Sequence, residues 1–182
     1  MAGRWEYACR VGPLLAVLVL GVAACRDSEV GGSVGAEESL VKSEPGEVAC
    51  GRPFQLPASG GLRLAGRFAE SVPAAQQTVS GMVEVTSREA LRGVAAPAAD
   101  VFLVREGRVV TTPMAQDAIG VRWELAAGET RGMAATASLV SCEPEGGPLP
   151  PGGYELYARV LLTPDDGAAQ RAFGGPWRLR LR

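Results

Sequence analysis

Histidine and asparagine are absent from these 182 residues, and lysine and isoleucine occur once each, at Lys42 and Ile119. Without an imidazole, Ser-His-Asp and Cys-His nucleophilic catalysis are excluded, and so are histidine-ligated zinc and copper centres. A Ser-Lys dyad would have to draw on Lys42. Aromatic residues make up only 5% of the chain and the formal net charge is −2. The concentrated basic face with stacking rings that nucleic-acid binding requires is therefore missing. No two cysteines stand in a CxxC spacing, which removes the commonest redox and thiolate-metal motifs. The longest apolar run, residues 11–24, is shorter than the about 20 residues that a membrane-spanning helix needs.

That run has the length of a signal-peptide core instead. It follows a weakly positive start with Arg4 and Arg10 against Glu6, and it closes on Val22-Ala23-Ala24-Cys25. Small residues at Ala23 and Ala24 give a signal peptidase room at the backbone, and a cysteine follows them. The pattern of aliphatic, small, small, Cys resembles the lipobox of bacterial lipoproteins. The resemblance implies that residues 1–24 are a cleaved signal peptide and that Cys25 is the first mature residue. Its thiol would carry a diacylglycerol, and two or three acyl chains anchor a protein to a membrane far more firmly than one. Arg26 follows, not the aspartate associated with inner-membrane retention. The bias toward Ala, Gly, Arg and Val is that of a GC-rich genome.

Residues 25–47 hold the lipidated cysteine and a stretch rich in Gly, Ser and acidic side chains, including Asp27, Glu29, Glu37, Glu38, Glu44 and Glu47. With little to bury against the entropy of ordering, this reads as a disordered, flexible tether. Residues 48–182 are one domain by size. Of the four cysteines, Cys9 leaves with the signal and Cys25 takes lipid, so Cys50 and Cys142 remain as a pair in an oxidising compartment and are expected to form a disulfide. Closing a loop of about 90 residues is worth roughly 4 kcal/mol in the chain-entropy picture.

Within the domain the hydrophobic pattern has period two. Residues 77–86 place Val79, Gly81, Val83 and Val85 on one face, and residues 100–110 form two runs interrupted by Glu106-Gly107, a hairpin signal. Val121, Trp123 and Leu125 alternate with Arg122 and Glu124. After a turn at Ala127-Gly128-Glu129, a strand is expected to reach Cys142, with Leu139 and Val140 its firmest apolar positions. Residues 149–162 bend at Pro150-Pro151-Gly152-Gly153 and then direct Tyr154, Leu156, Ala158, Val160 and Leu162 inward. Residues 177–182 alternate Trp177, Leu179 and Leu181 with Arg178, Arg180 and Arg182. The expectation is an all-β fold, an antiparallel sandwich of about seven to nine strands.

Two motifs sharpen it. Leu125-Ala-Ala-Gly-Glu129 resembles the L-x-x-G-E turn of bacterial immunoglobulin-like domains, and Pro151-Gly-Gly-Tyr154 resembles their lead into a late strand. Residues 101–162 are also similar to the BsuPI-type proteinase-inhibitor domain. The resemblance implies a structural role for Tyr154, packed at a corner with its hydroxyl on nearby backbone. Cys142 precedes the Tyr154 strand, so the antibody-type disulfide pattern is not matched.

The remaining side chains point to no catalysis. Asp100, Asp117, Glu143 and Glu145 can in principle supply a carboxylate pair, but no spacing marks any two of them. Asp165-Asp166-Gly167 lacks the repeated acidic ligands of a calcium loop and reads as a turn. Trp123 and Trp177 lie at apolar positions of alternating strands and read as structural core, not as a carbohydrate platform. The Arg178, Arg180, Arg182 ladder reads as the guard of a terminal strand edge, with grip on an anionic polymer as its alternative. No cofactor, metal or nucleic acid is expected. The sequence-based expectation is a noncatalytic envelope lipoprotein, anchored in the membrane through Cys25, whose domain binds another envelope protein. The alternatives are a solute- or carbohydrate-binding accessory to a transporter or enzyme, and a protease-inhibitor-like domain acting through the loop from Thr111 to Ile119.

Overall fold

The computed structural model describes residues 45–58, 60–117 and 119–182. Cys25, Lys42 and the linker through residue 44 lie outside the described residues.

All regular structure among the described residues is β, as expected. The strands are β1 (Leu62–Phe68), β2 (Ser71–Val72), β3 (Thr78–Ser87), β4 (Leu91–Ala95), β5 (Ala98–Arg105), β6 (Arg108–Val109), β7 (Val121–Leu125), β8 (Thr130–Ser138), β9 (Gly152–Pro164) and β10 (Gln170–Leu181). Alternation decides which face each buries: Val79, Val83 and Val85 on β3, Leu179 and Leu181 on β10, and Tyr154, Leu156, Ala158, Val160 and Leu162 on β9 all point inward. Turn chemistry agrees. Glu106 and Gly107 both have positive φ, 52° and 76°, the geometry that lets a two-residue loop match the twist of its strands. In the Leu125–Glu129 turn, the Glu129 carboxylate accepts the Ala126 N–H at 2.7 Å, and the Gly128 N–H donates to the Ser87 carbonyl at 2.8 Å. The acidic residue of that motif thus satisfies a backbone donor which the turn would otherwise strand.

Hydrogen bonding runs through one curled sheet in the order β1-β3-β8-β5-β9-β10-β2, with β6 on β5. Most pairs are antiparallel, but β5 lies parallel to β8 over Ala98–Asp100, and β2 lies parallel to β10, so the sheet is mixed. β9 is longer than β5 can cover. Its far end, from Leu162 to Pro164, takes β4 as partner, and β4 in turn carries β7. The curl brings β1 across β10. There Gly66 sits under the Trp177 ring, where a Cβ would stand 2.6 Å from the indole.

Two cores result. The larger fills the inside of the curl, with Val83, Val85, Val101, Leu103, Leu156 and Ala158 inaccessible or nearly so. The smaller lies on the opposite face of β5, β9 and β10 and consists of Phe54, Phe102, Val104, Val109, Tyr157 and Phe173. Its cover is the chain ahead of β1. Phe54 packs edge-on to Phe102 and Tyr157 with ring centroids 4.9 and 4.8 Å apart. Backbone bonds from Gly51 N–H to Val109 O, from Val109 N–H to Arg52 O and from Phe54 N–H to Gly107 O lace this strap to β6 and its turn. Gly46 is already buried against Pro57 and Phe173, ahead of the expected domain start at residue 48.

Where about seven to nine antiparallel strands are expected, the described residues form ten, two of whose pairings are parallel because the sheet curls back on itself, and three finer details differ as well. β8 ends at Ser138, and of the pair beyond it Leu139 is buried while Val140 is 36% exposed, because only one of two adjacent side chains can face the core. β10 begins at Gln170, not near Trp177; a register shift between Gly174 and Trp177, containing the cis Gly175-Pro176 bond, disguises its period. The arginine ladder does not guard an edge, since β9 flanks β10 on one side and β2 on the other at Arg180.

Candidate functional site

Among the described residues, no three Cys, Asp or Glu side chains gather as a metal centre would require. The carboxylates singled out from the sequence are dispersed. Asp100, on β5, faces its cross-strand partner Arg159 on β9; Arg159 donates to one carboxylate oxygen from Nε at 3.1 Å and Nη2 at 2.7 Å. The other oxygen accepts Gln116 Nε2 at 2.8 Å. Asp100 therefore pins the loop between β6 and β7. Asp117 stands exposed on that loop, and Glu143 and Glu145 stand exposed on the loop between β8 and β9. Asp165 is taken by Arg122, which reaches both its oxygens at 2.7 and 2.5 Å, and forms part of a turn after β9.

The structural residues find defined places. Cys50 and Cys142 are joined by a disulfide that fastens the start of the strap to the segment after β8. Trp123 is buried, with the Arg131 guanidinium 5.0 Å from its ring centroid. The same Arg131 donates to the Arg122 carbonyl on β7. Trp177 is half-buried and leans on Phe68 with 5.6 Å between centroids. Tyr154 is buried, and its hydroxyl donates to the Pro150 carbonyl at 2.6 Å while accepting Arg105 Nη1 at 3.2 Å.

Two surface features stand out. The first is a hollow of about 230 Å³ between the β4/β9 junction and the loop ahead of β7. It brings together Val94, Leu161 and Ile119, which are 40%, 37% and 69% exposed, with Asp117 at its rim. Alternation explains it: Val94 and Leu161 are the outward residues of strands whose inward neighbours, Ala95 and Leu162, are in the core.

The second is a groove of about 800 Å³ where β5, β9, β10 and β2 end together. Gly152 and Gly153 start β9 and leave the groove floor without side chains. Arg178 and Arg180 form one wall with Glu70 and Ser71, and Arg105 and Glu106 the other. Arg105 is committed: it lies 5.4 Å over the Tyr154 ring and 3.7 Å from Glu106. Glu155, which faces Arg178 across the strands, turns to accept the Tyr157 hydroxyl at 3.1 Å. Burial, and then the Glu155 charge, push the Tyr157 phenol up to about 12. Sequence reasoning found the arginines of this groove, but not its floor or opposite wall. Those come from a glycine pair that read only as a bend, and from a hairpin end far away in the chain.

No family model and no curated protein sequence matches this chain. Among solved structures it is similar to structural-genomics target SoR45, with 11% identity, a TM-score of 0.41 and coverage of 69% of this chain and 90% of that one. It is also similar to a protein described as ApaA from Bordetella pertussis, with 17% identity, a TM-score of 0.40 and coverage of 66% and 91%. Spo0M, the sporulation control protein of Bacillus subtilis, gives 16% identity, a TM-score of 0.34 and coverage of 67% and 49%. Likenesses this distant carry no argument about function.

Proposed function

We propose that this protein is a noncatalytic lipoprotein, anchored to the outer face of the cell membrane through Cys25, whose immunoglobulin-like β-domain binds another protein of the envelope. The observation that carries the binding role is the aliphatic hollow of Val94, Leu161 and Ile119. Three exposed apolar side chains converge there, outward of the buried Ala95 and Leu162. Apolar surface gathered in one place is what a protein partner covers. A solute- or carbohydrate-binding accessory calls for convergent polar groups in an enclosed cavity. The two hollows described above open at the surface, which favours the protein-binding reading.

Photo-crosslinking in intact cells tests it. A crosslinker at Ile119 is expected to trap a discrete protein adduct that a crosslinker at exposed Arg88 does not give. That adduct should vanish when Leu161→Asp places a charge in the hollow. An Ile119 adduct that persists unchanged in Leu161→Asp, or no adduct specific to Ile119, would refute the assignment.

A further inference from the structure

We infer that the open edge of β7 is a self-association surface, where a second copy of this chain adds its own β7 antiparallel about a two-fold axis at Trp123. The surface uses none of the three side chains of the aliphatic hollow.

β7 ends the branch of the sheet that leaves β9 through β4, and among the described residues no strand is hydrogen-bonded to its far edge. Which backbone groups face out there follows from β4. Asp165 N–H donates to the Arg92 carbonyl and Ala96 N–H to the Leu161 carbonyl, so even-numbered residues turn their backbone groups toward β9 and odd-numbered ones toward β7. Leu91, Gly93 and Ala95 therefore bond Leu125, Trp123 and Val121, and the backbone groups of Arg122 and Glu124 point away from the sheet. The Arg122 carbonyl agrees with that direction, since Arg131 reaches it from β8, a strand that does not pair with β7. At 3.3 Å this is a long side-chain bond, readily given up to a backbone N–H. Among the described residues the Arg122 N–H and both backbone groups of Glu124 have no partner.

Charge selects what covers this edge. An added antiparallel strand must set outward-bonding residues opposite one another, so a second β7 can be centred on Arg122, on Trp123 or on Glu124. The first and last of these set like charges directly opposite, which is unfavourable. Centred on Trp123, the pairing sets Arg122 against Glu124 of the second copy and Glu124 against its Arg122, and every outward backbone group of the two residues finds a partner. Val121 then meets Leu125 of the second copy on the inner face, so apolar positions also match. Both charged side chains are exposed, and each has an opposite charge on its other side, Arg92 beside Glu124 and Asp165 beside Arg122. The pairing links them into rows of alternating sign: Arg92 and Glu124, then Arg122 and Asp165 of the second copy. Networks of this kind are where surface charge contributes to binding. The run Val-Arg-Trp-Glu-Leu is thus complementary to itself across the axis, and the occupant it fits is its own copy.

The test follows the full-length protein in neutral detergent by sedimentation equilibrium across a range of concentrations. The wild type is expected to pass from monomer to dimer. Arg122→Glu leaves only glutamates facing one another across the axis, and Glu124→Arg only arginines. Both positions are exposed, so the fold is kept, and each variant alone should dimerise about tenfold more weakly as two attractive cross-strand pairs become repulsive. An equimolar mixture of the two should form a mixed dimer more readily than either forms its own. Amide exchange should slow with concentration at Arg122 and Glu124 but not at Trp123, whose N–H β4 already holds. A wild type that is monomeric at every concentration, single variants that dimerise as it does, or a mixture without mixed dimer would overturn the inference. So would a dimer that leaves the Arg122 and Glu124 amides unprotected. The Ile119 adduct is read separately and stands or falls on Leu161 alone.

Discussion

Replacing Phe54 with alanine removes the ring that closes the outer core, and its effect follows from the contacts. Phe54 is 9% exposed, with centroids 4.9 Å from Phe102, 4.8 Å from Tyr157 and 6.3 Å from Phe173. Truncating a buried phenylalanine costs about 3–5 kcal/mol. The strap lies at the surface and can partly settle into the space, so the lower end applies, about 3 kcal/mol. For a domain of this size that lowers the melting temperature by roughly 10 °C. The disulfide at Cys50 keeps one end of the strap in place, so the damage should be local before it is global. Amide exchange should quicken at Gly51, Phe54 and Val109, whose N–H groups hold the strap to β6, ahead of the amides of β3 and β9. The Tyr157 phenol gives an independent reading. Chiefly because it is buried, it titrates near 12 in the folded chain against an ordinary value of 10, so between those values the folded state binds the extra proton. Stability is therefore untouched below pH 10 and falls as pH rises toward 12. Uncovering Tyr157 through Phe54→Ala should bring its pKa back toward 10, read by NMR of ring-labelled tyrosine, and shrink that alkaline loss. A destabilisation under about 1 kcal/mol, with strap amides still protected, would refute the claim that Phe54 holds the strap down.

Other perturbations separate the remaining elements. Cys50→Ala/Cys142→Ala opens a crosslink spanning 92 residues and should cost up to roughly 4 kcal/mol in denaturant unfolding; no change would mean that the unfolded chain gains no freedom from losing the bridge. Gly66→Ala pushes a methyl to 2.6 Å from the Trp177 indole and should destabilise by about 1–3 kcal/mol. Asp100→Asn weakens the pairing to Arg159, and faster amide exchange confined to the loop bearing Gln116 is expected; unchanged exchange there would show that the loop stands without the carboxylate. Cys25→Ala should release the protein from membranes and remove the mass of a diacylglycerol from the purified chain, and membrane retention at unmodified mass would end the lipoprotein proposal.

What the sequence disclosed depended on whether a strand is covered on one face or two. β3 and the last residues of β10 have one buried face, so Val79, Val83, Val85, Leu179 and Leu181 alternate with polar neighbours and the strands are readable. β9 is harder. Leu156, Tyr157 and Ala158 are buried in succession because the inner core lies on one side and the strap on the other. A polar-apolar count registers the inward set and passes over Tyr157. Likewise Phe102 and Val104 fall on the outward face of β5, and the hairpin pattern of that segment carries no sign of a second core there. β1 and β4 carry no clear alternation because arginine and glycine interrupt them, Gly66 making way for Trp177 and Gly93 for the backbone of Thr163 and Pro164. Both glycines answer to neighbours distant in sequence, and no local window carries that information.

The candidate sites were legible in the same uneven way. Cys50 and Cys142 could be paired by counting, since counting needs no geometry. The arginine ladder was visible as alternation, but its meaning depended on what flanks β10. A terminal strand at an edge would use charge to repel other strands; here β2 occupies that edge beside Arg180 and Leu181, and Arg178 and Arg180 are the solvent-facing residues that alternate with buried Leu179 and Leu181. The short parallel strand β2 thus removes the edge that Arg180 would protect, and its two residues, Ser71 and Val72, carry too little pattern to be found before the fold is known.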